Sequence, residues 1–175
     1  MGILKKIIFE LKLLKADPYQ KWAVYAKYMG VNFGKGVRIT GKPSFGSEPY
    51  LITIGDDVTI AHGVTFHTHD GGVGVLRKKY PGINIFKKIV VGNNVFIGSH
   101  ATILPGIVIG NNVIIGASSL VSKNIPDNTV VAGVPAKKIK TLEEYEEKVL
   151  QDAVYLLEND PQKRIEKIKE FAGNK

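Results

Sequence analysis

The sequence predicts an all-β fold over residues 31–140, a three-sided parallel β-helix, with short N-terminal and C-terminal helices at its ends. Three observations carry this. Large apolar residues recur every six positions: Phe33, Ile39 and Phe45, then Ile54, Ile60 and Phe66, then Val91, Ile97, Ile103, Ile109, Ile115 and Val121, with two interruptions of register. A glycine often follows them (Gly34, Gly46, Gly55, Gly92, Gly98, Gly110, Gly116), and a small or β-branched residue comes four positions on, as at Val37, Val58, Val95, Ala101 and Val113. Finally, Asn93-Asn94 and Asn111-Asn112 stand three repeats apart, with Asp56-Asp57 as an earlier pair of the same kind.

A period of six fits neither an amphipathic helix nor an alternating strand. Six residues make a short strand and a sharp corner, so three units close a triangular coil whose repeated aliphatic residue points inward. Each coil then stacks on the last through its backbone ladder. Corners require positive φ, which glycine, asparagine and aspartate tolerate best, and the two Asn-Asn pairs are expected to stack on one corner of successive coils.

The flanks read differently. Ile3, Leu4, Ile7, Ile8, Leu11 and Leu14 form an apolar stripe at helical spacing, and Asp17-Pro18 has the pattern of an N-cap and first-turn proline. Residues 1–30 are expected to cap the open end of the coil, which would otherwise expose strand edges; the alternative is a basic amphipathic helix in peripheral contact with a membrane. After Pro135 the chain is expected to turn helical again, with Thr141 as N-cap, Glu143, Glu144, Glu146 and Glu147 early, and Leu150, Val154 and Leu157 on one face. The domain organisation is therefore a helical cap (1–30), the coil (31–140) and a helical tail (141–175). Between Asp70 and Lys88 the register is lost over a glycine-containing stretch with Arg77, Lys78, Lys79 and Tyr80-Pro81-Gly82, and a loop projecting from a rigid scaffold is a usual place for function.

Composition excludes several classes. The chain has 175 residues and no cysteine, so no disulfide frame, thiolate nucleophile or cysteine-bound metal takes part, which fits a reducing cytoplasm. No apolar run approaches the roughly 20 residues that span a bilayer, and no cleavable signal pattern is present, so the mature chain is expected to begin near Met1. The formal net charge of +8 invites an anionic partner. Aromatic residues do not interleave with the basic ones as a nucleic-acid groove requires, so no nucleic acid is expected.

The hexads from Ile54 to Phe66 and from Val91 to Ile125, followed by Val131-Ala132-Gly133-Val134-Pro135-Ala136-Lys137, resemble the hexapeptide-repeat acetyltransferases, nearest to the maltose, galactoside and capsular sugar O-acetyltransferases. The resemblance covers about residues 31 to 140. It implies the left-handed sense of the β-helix, a homotrimer with active sites at subunit boundaries, and transfer of acetyl from acetyl-CoA to a hydroxyl of a sugar or glycan, with no metal. Such a transfer needs a base for the hydroxyl proton, and histidine suits neutral pH. Of His62, His67, His69 and His100, the one in Thr68-His69-Asp70-Gly71, where the last regular hexad gives way to the loop, resembles the family's catalytic histidine. His67 is the runner-up, while His62 and His100 read as exposed corner residues. Asp70 is either the carboxylate that orients the imidazole or a turn residue.

The resemblance further implies an oxyanion donor at the backbone N–H of Ser99, acetyl-CoA positions at Ser99, Ala117, Ser122 and Lys123, and 3′-phosphate contacts at Lys137 and Lys140. Relatives often carry arginine at those last two positions, and lysine supplies a point charge without the bidentate fork. Many relatives have tryptophan where this chain has Phe96, which removes an indole donor. Asn84, inside the loop, receives no role. A rival reading, a γ-class carbonic anhydrase-like zinc protein of the same fold, rests on the His62/His67 spacing, but no upstream histidine supplies the third ligand that a catalytic zinc needs. The resemblance leaves the acceptor open.

Overall fold

The computed structural model describes residues 2–158 and 160–173. Residues up to Glu143 form one compact unit and those from Glu144 onward a second. The first opens with α1 (Ile3–Lys15) and α2 (Lys21–Met29). A first coil follows, with β1 (Asn32–Phe33) and β2 (Arg38–Ile39), then a second with β3 (Ile52–Ile54), β4 (Thr59–Ile60) and β5 (Thr65–Phe66). The third holds β6 (Ile89–Val91), β7 (Val95–Ile97) and β8 (Thr102–Ile103), and the fourth β9 (Val108–Ile109), β10 (Val113–Ile115) and β11 (Leu120–Val121). Last come β12 (Thr129–Ala132) and β13 (Lys137–Thr141).

Consecutive strands never pair within a coil; each pairs in parallel with its counterpart one coil away. The result is three faces, ordered β1-β3-β6-β9, then β2-β4-β7-β10-β12-β13, then β5-β8-β11. Only β13 breaks the rule, turning back antiparallel on β12. The predicted repeat is the core: Ile39, Ile60, Ile97, Ile115 on one face and Phe66, Ile103, Val121 on another are at most 1% exposed, as are Ile54, Val91 and Ile109 on the third. The all-β description holds for this coil alone, because helices occupy both ends of the chain.

Corners explain the side chains that sequence periodicity only counts. At the first corner Asp57, Asn94, Asn112 and Asn128 take φ of 53 to 55°, the left-handed region that short polar side chains tolerate. Their amides form a ladder, Asn94 Nδ2 to Asn112 Oδ1 at 2.8 Å and Asn112 Nδ2 to Asn128 Oδ1 at 3.0 Å. The second corner holds His62-Gly63, Ser99-His100 and Ala117-Ser118, tied by His100 N–H to His62 O and Ser118 N–H to Ser99 O. The third holds His67-Thr68, Leu104-Pro105 and Ser122-Lys123, tied by His67 N–H to Ile103 O and Leu104 N–H to Val121 O.

Most of the repeat's glycines serve a purpose other than positive φ. A Cβ on Gly92 would stand 2.7 Å from the carbonyl carbon of Gly110, and one on Gly55 2.5 Å from the carbonyl oxygen of Gly92. The next coil's backbone passes where a side chain would be.

Two expectations for the flanks are corrected. Capping is performed by Phe9, Leu13 and Tyr25, which are buried and continue an aromatic column, Phe9 to Tyr25 at 5.6 Å, Tyr25 to Phe45 at 5.0 Å and Phe45 stacked on Phe66 at 5.3 Å. The stripe from Ile3 to Leu14 faces outward instead. The Tyr25 hydroxyl, enclosed by this packing without a hydrogen-bond partner among the described residues, has its pKa raised to about 12 by burial and by the nearby Glu10 carboxylate. Asp17 accepts from the Tyr19 N–H at 2.7 Å, closing a turn, and α2 begins only at Lys21.

At the other end the chain after Pro135 first forms β13, and helix α3 (Leu142–Leu150) starts directly after Thr141. Val154 and Leu157 lie beyond it in an irregular segment before α4 (Pro161–Gly173). No helix among the described residues is long and apolar enough to cross a membrane.

Because Gly92 does not use positive φ, Gly92→Ala tests coil contact in isolation. It should destabilise the protein by about 1–3 kcal/mol through overpacking. An unchanged denaturant midpoint would show that the coils are not held at this separation.

Candidate active site

The third corner is where the coil departs from six. Between Thr68 and Lys87 the chain leaves the prism, forms a 3-10 turn at Gly71–Leu76 and returns. Its neck is a short antiparallel clasp: Lys87 N–H donates to Thr68 O at 2.8 Å, Asp70 N–H to Ile85 O at 3.2 Å, and His69 pairs with Phe86. The Phe86 ring meets the His69 ring edge-on at 6.3 Å. His69 therefore sits on a backbone braced from both sides.

A carboxylate from the preceding coil meets it. Glu48 Oε2 lies 2.9 Å from His69 Nδ1 and accepts from Thr68 Oγ1 at 2.7 Å. Thr68 is fully buried, and the Glu48 side chain is 16% exposed against 37% for His69. The hydrogen bonds from Thr68 and His69, with the imidazole's charge, hold the Glu48 carboxyl below the usual carboxylate range against a smaller opposing effect of burial. An ionised Glu48 accepts a hydrogen bond from Nδ1–H, and in the neutral imidazole this tautomer leaves the lone pair on Nε2.

Two cavities meet at this imidazole. One, of about 320 Å³, is lined by Glu48, His69, Arg77, Asn84 and Phe86, among others. The other, of about 340 Å³, runs past His67, Lys87, Leu104 and Pro105 to Ser122. Arg77 Nη2 donates to Asn84 Oδ1 at 3.1 Å, and Asn84 Nδ2 donates to Gly82 O at 2.9 Å, which fixes the loop wall of the first cavity.

Thus His69, Asp70 and Ser122 gather at the third corner, with exposed Lys123 beside Ser122. Asp70 does not hold the imidazole: its carboxylate accepts from Gly72 N–H at 2.8 Å and caps the 3-10 turn. Ser99 and Ala117 stand on the second corner, the width of a face away. Five residues of extended chain, on the order of 16 Å, separate corner from corner. Lys137 and Lys140 lie on β13 at the far edge of the second face, and Phe96 is exposed on that same face. The histidines form two pairs on two corners, with His62 and His100 rings 5.4 Å apart. No group of three or more His, Cys, Asp or Glu among the described residues is placed to hold a metal.

The bacterial transferase hexapeptide family (six repeats) matches residues 88–123. Protein CapG of Staphylococcus aureus is 52% identical over 150 residues, which are 84% of this chain and 87% of that protein. The chain belongs to the hexapeptide-repeat acetyltransferases. The galactoside O-acetyltransferase of Escherichia coli (strain K12) is 43% identical over 95 residues, 54% of this chain and 46% of that longer enzyme. Among solved structures, a hexapeptide-repeat acetyltransferase of Vibrio cholerae complexed with acetyl coenzyme A is 25% identical over 79% of this chain and 85% of its own, with a TM-score of 0.57. A maltose O-acetyltransferase of Clostridium difficile is 28% identical over 79% of this chain and 84% of its own, with a TM-score of 0.55. These neighbours imply that the three-faced coil of this acetyltransferase winds left-handed, and they do not favour the zinc-hydratase reading.

Glu48 is the member of this candidate site that sequence reading missed. A signal existed. The step from Phe45 to Ile54 is nine residues where the repeat is six, so the first interruption falls on the same corner as the long loop, one coil before it.

The depressed Glu48 pKa has a pH signature. A carboxyl whose folded pKa lies below its unfolded value stabilises the fold above the unfolded value, and that contribution disappears as pH falls through the folded one. Glu48→Gln should therefore show a shallower loss of melting temperature on acidification below the ordinary carboxylate pKa. Parallel acid profiles for the two proteins would contradict the pairing.

Proposed function

We propose that the protein is an O-acetyltransferase moving acetyl from acetyl-CoA to a hydroxyl of a sugar or glycan precursor, with His69 as general base and Glu48 as the positioning carboxylate. The observation that carries this reading is the Glu48–His69 pair at the meeting point of two cavities. One cavity, walled by Arg77 and Asn84, takes the acceptor; the other, leading to Ser122, takes the thioester.

With Nδ1–H committed to Glu48, Nε2 removes the hydroxyl proton as the acceptor oxygen attacks the thioester carbonyl carbon. The C–O bond forms, charge gathers on the carbonyl oxygen, and Glu48 offsets the positive charge on the imidazole. Collapse breaks the C–S bond, and the leaving thiolate recovers the proton from Nε2. No group on the enzyme is acylated.

The oxyanion needs a donor, and Ser99 of the same chain stands one face away. We place the Ser99 and Ala117 corner of a second copy against the His69 and Ser122 corner of the first, so that the donor lies in the groove between two prisms and three copies close a homotrimer. Lys123, Lys137 and Lys140 then supply positive charge for the phosphates of acetyl-CoA. The relatives named for galactoside and maltose O-acetylation, and the one solved with acetyl coenzyme A, support donor and acceptor class. A cytoplasmic location agrees with the cysteine-free composition.

His69→Ala should reduce turnover by about 10²- to 10⁴-fold with the melting temperature nearly unchanged. Near wild-type rates would transfer the role to His67. Incubation with acetyl-CoA and a panel of sugars, scored by mass gain, tests the acceptor class, and a panel without any acetylated product overturns it. Lys137→Glu should raise the Michaelis constant for acetyl-CoA much more than that for the acceptor. Equal increases would remove Lys137 from the donor site.

A further inference from the structure

Helix α1 has two apolar faces. Phe9 and Leu13 turn inward, Phe9 against the rings of Tyr25 and Tyr28 at 5.6 and 5.8 Å. At about 100° per residue, Ile3, Leu4, Ile7, Ile8, Leu11 and Leu14 cover a roughly 140° arc nearly opposite to that contact. Their exposure is high: 83% for Ile3, 72% for Leu4, 52% for both Ile7 and Leu11, and 81% for Leu14. Folding of the compact unit requires only the inward face, and an outward stripe of six large aliphatic side chains is unfavourable in water unless something covers it.

Charge identifies the cover. On the same projection Lys5 and Lys12 border one edge of the stripe, Lys15 falls within it near that edge, and Lys6 stands beyond the other edge, past Glu10. The single acidic residue of the helix, Glu10, is engaged by Lys42 at 2.8 Å. At the stripe's edge, Lys5, Ile8, Lys27 and Tyr28 line an open cavity of about 600 Å³. Packing α1 against α1 of another copy would bring four lysines of each helix together against one acidic residue each, Glu10, which Lys42 already engages.

We propose that α1 seats this protein on an anionic phospholipid bilayer, its aliphatic stripe buried among the acyl chains near the headgroups and its lysines on lipid phosphates. The helix lies in the interface without crossing it.

The test is flotation of the full-length protein with vesicles of phosphatidylglycerol and phosphatidylcholine, against vesicles of phosphatidylcholine alone. The wild type should float with the anionic vesicles at low salt and at least about tenfold less with the neutral ones or in 1 M salt, where exposed charges are screened. The Ile7→Glu/Leu11→Glu variant should lose flotation by a similar factor, with light-scattering mass and melting temperature unchanged. Lys5→Glu/Lys6→Glu, which leaves the aliphatic residues intact, should reduce binding to anionic vesicles only. Wild-type protein left at the bottom of the gradient with anionic vesicles, or an Ile7→Glu/Leu11→Glu variant that floats like the wild type, overturns the proposal. So does a change in that variant's oligomeric mass, which would assign the stripe to subunit contact.

Discussion

The parallel backbone ladder between coils is the constraint on which the rest of this structure depends. Every strand but β13 finds its partner one full turn away, so neither the shape of one coil nor the position of any corner is determined without the next coil. Two sequence features make that spacing possible. Inward aliphatic residues fill the prism at every level, and glycines such as Gly55 and Gly92 leave room where one coil's corner passes directly over another's. Strand neighbours lie about 4.8 Å apart, and at that separation a single Cβ at the wrong place collides with backbone, which cannot yield as a flexible side chain would.

The same constraint builds the site. Glu48 comes from the first coil's return and His69 from the second's, so their 2.9 Å contact is set by coil spacing and not by local sequence. The buried Thr68 hydroxyl supplies a second hydrogen bond to the same carboxylate oxygen, and the clasp at Phe86 and Lys87 ties the histidine's backbone to the returning chain. A pair supported in this way loses little conformational entropy when substrates arrive. Asp70, nearer in sequence, is diverted because an aspartate before two glycines meets the backbone N–H of Gly72 first, closing an Asx-type turn.

The fold was legible from sequence because its signal repeats: twelve inward positions at one period, and Asn93-Asn94 over Asn111-Asn112 at three times that period, leave little freedom in how the chain closes. The edges were less legible. The stripe from Ile3 to Leu14 has the correct spacing for a helix, but spacing does not say which of two apolar faces turns inward, and Phe9 and Leu13 win because they meet the aromatic column at Tyr25 and Phe45. Lys137 to Thr141 carry a single apolar side chain, Ile139, so the pairing of β13 with β12 comes from the open edge of a sheet and not from any pattern in β13 itself. Glu48 escaped notice for a related reason: a lone glutamate in a loop acquires meaning only when the coil below it is known.

Departures from the repeat are not scattered. The step from Phe45 to Ile54 is lengthened, that from Phe66 to Val91 carries the excursion, and that from Val121 to Ile125 is shortened, all at the third corner. The first corner, with its asparagine ladder, and the second, with its tightly superposed turns, keep strict register. A prism needs invariant corners to stack, yet it can release chain at one of them as long as the strands on either side remain paired. That asymmetry explains why the imidazole, its carboxylate and both cavities occupy one edge of the coil. It also explains why the Ser99 N–H, on the neighbouring edge of the same chain, stands a whole face away from His69: the rigidity that fixes the Glu48–His69 pair also prevents the prism from folding across itself.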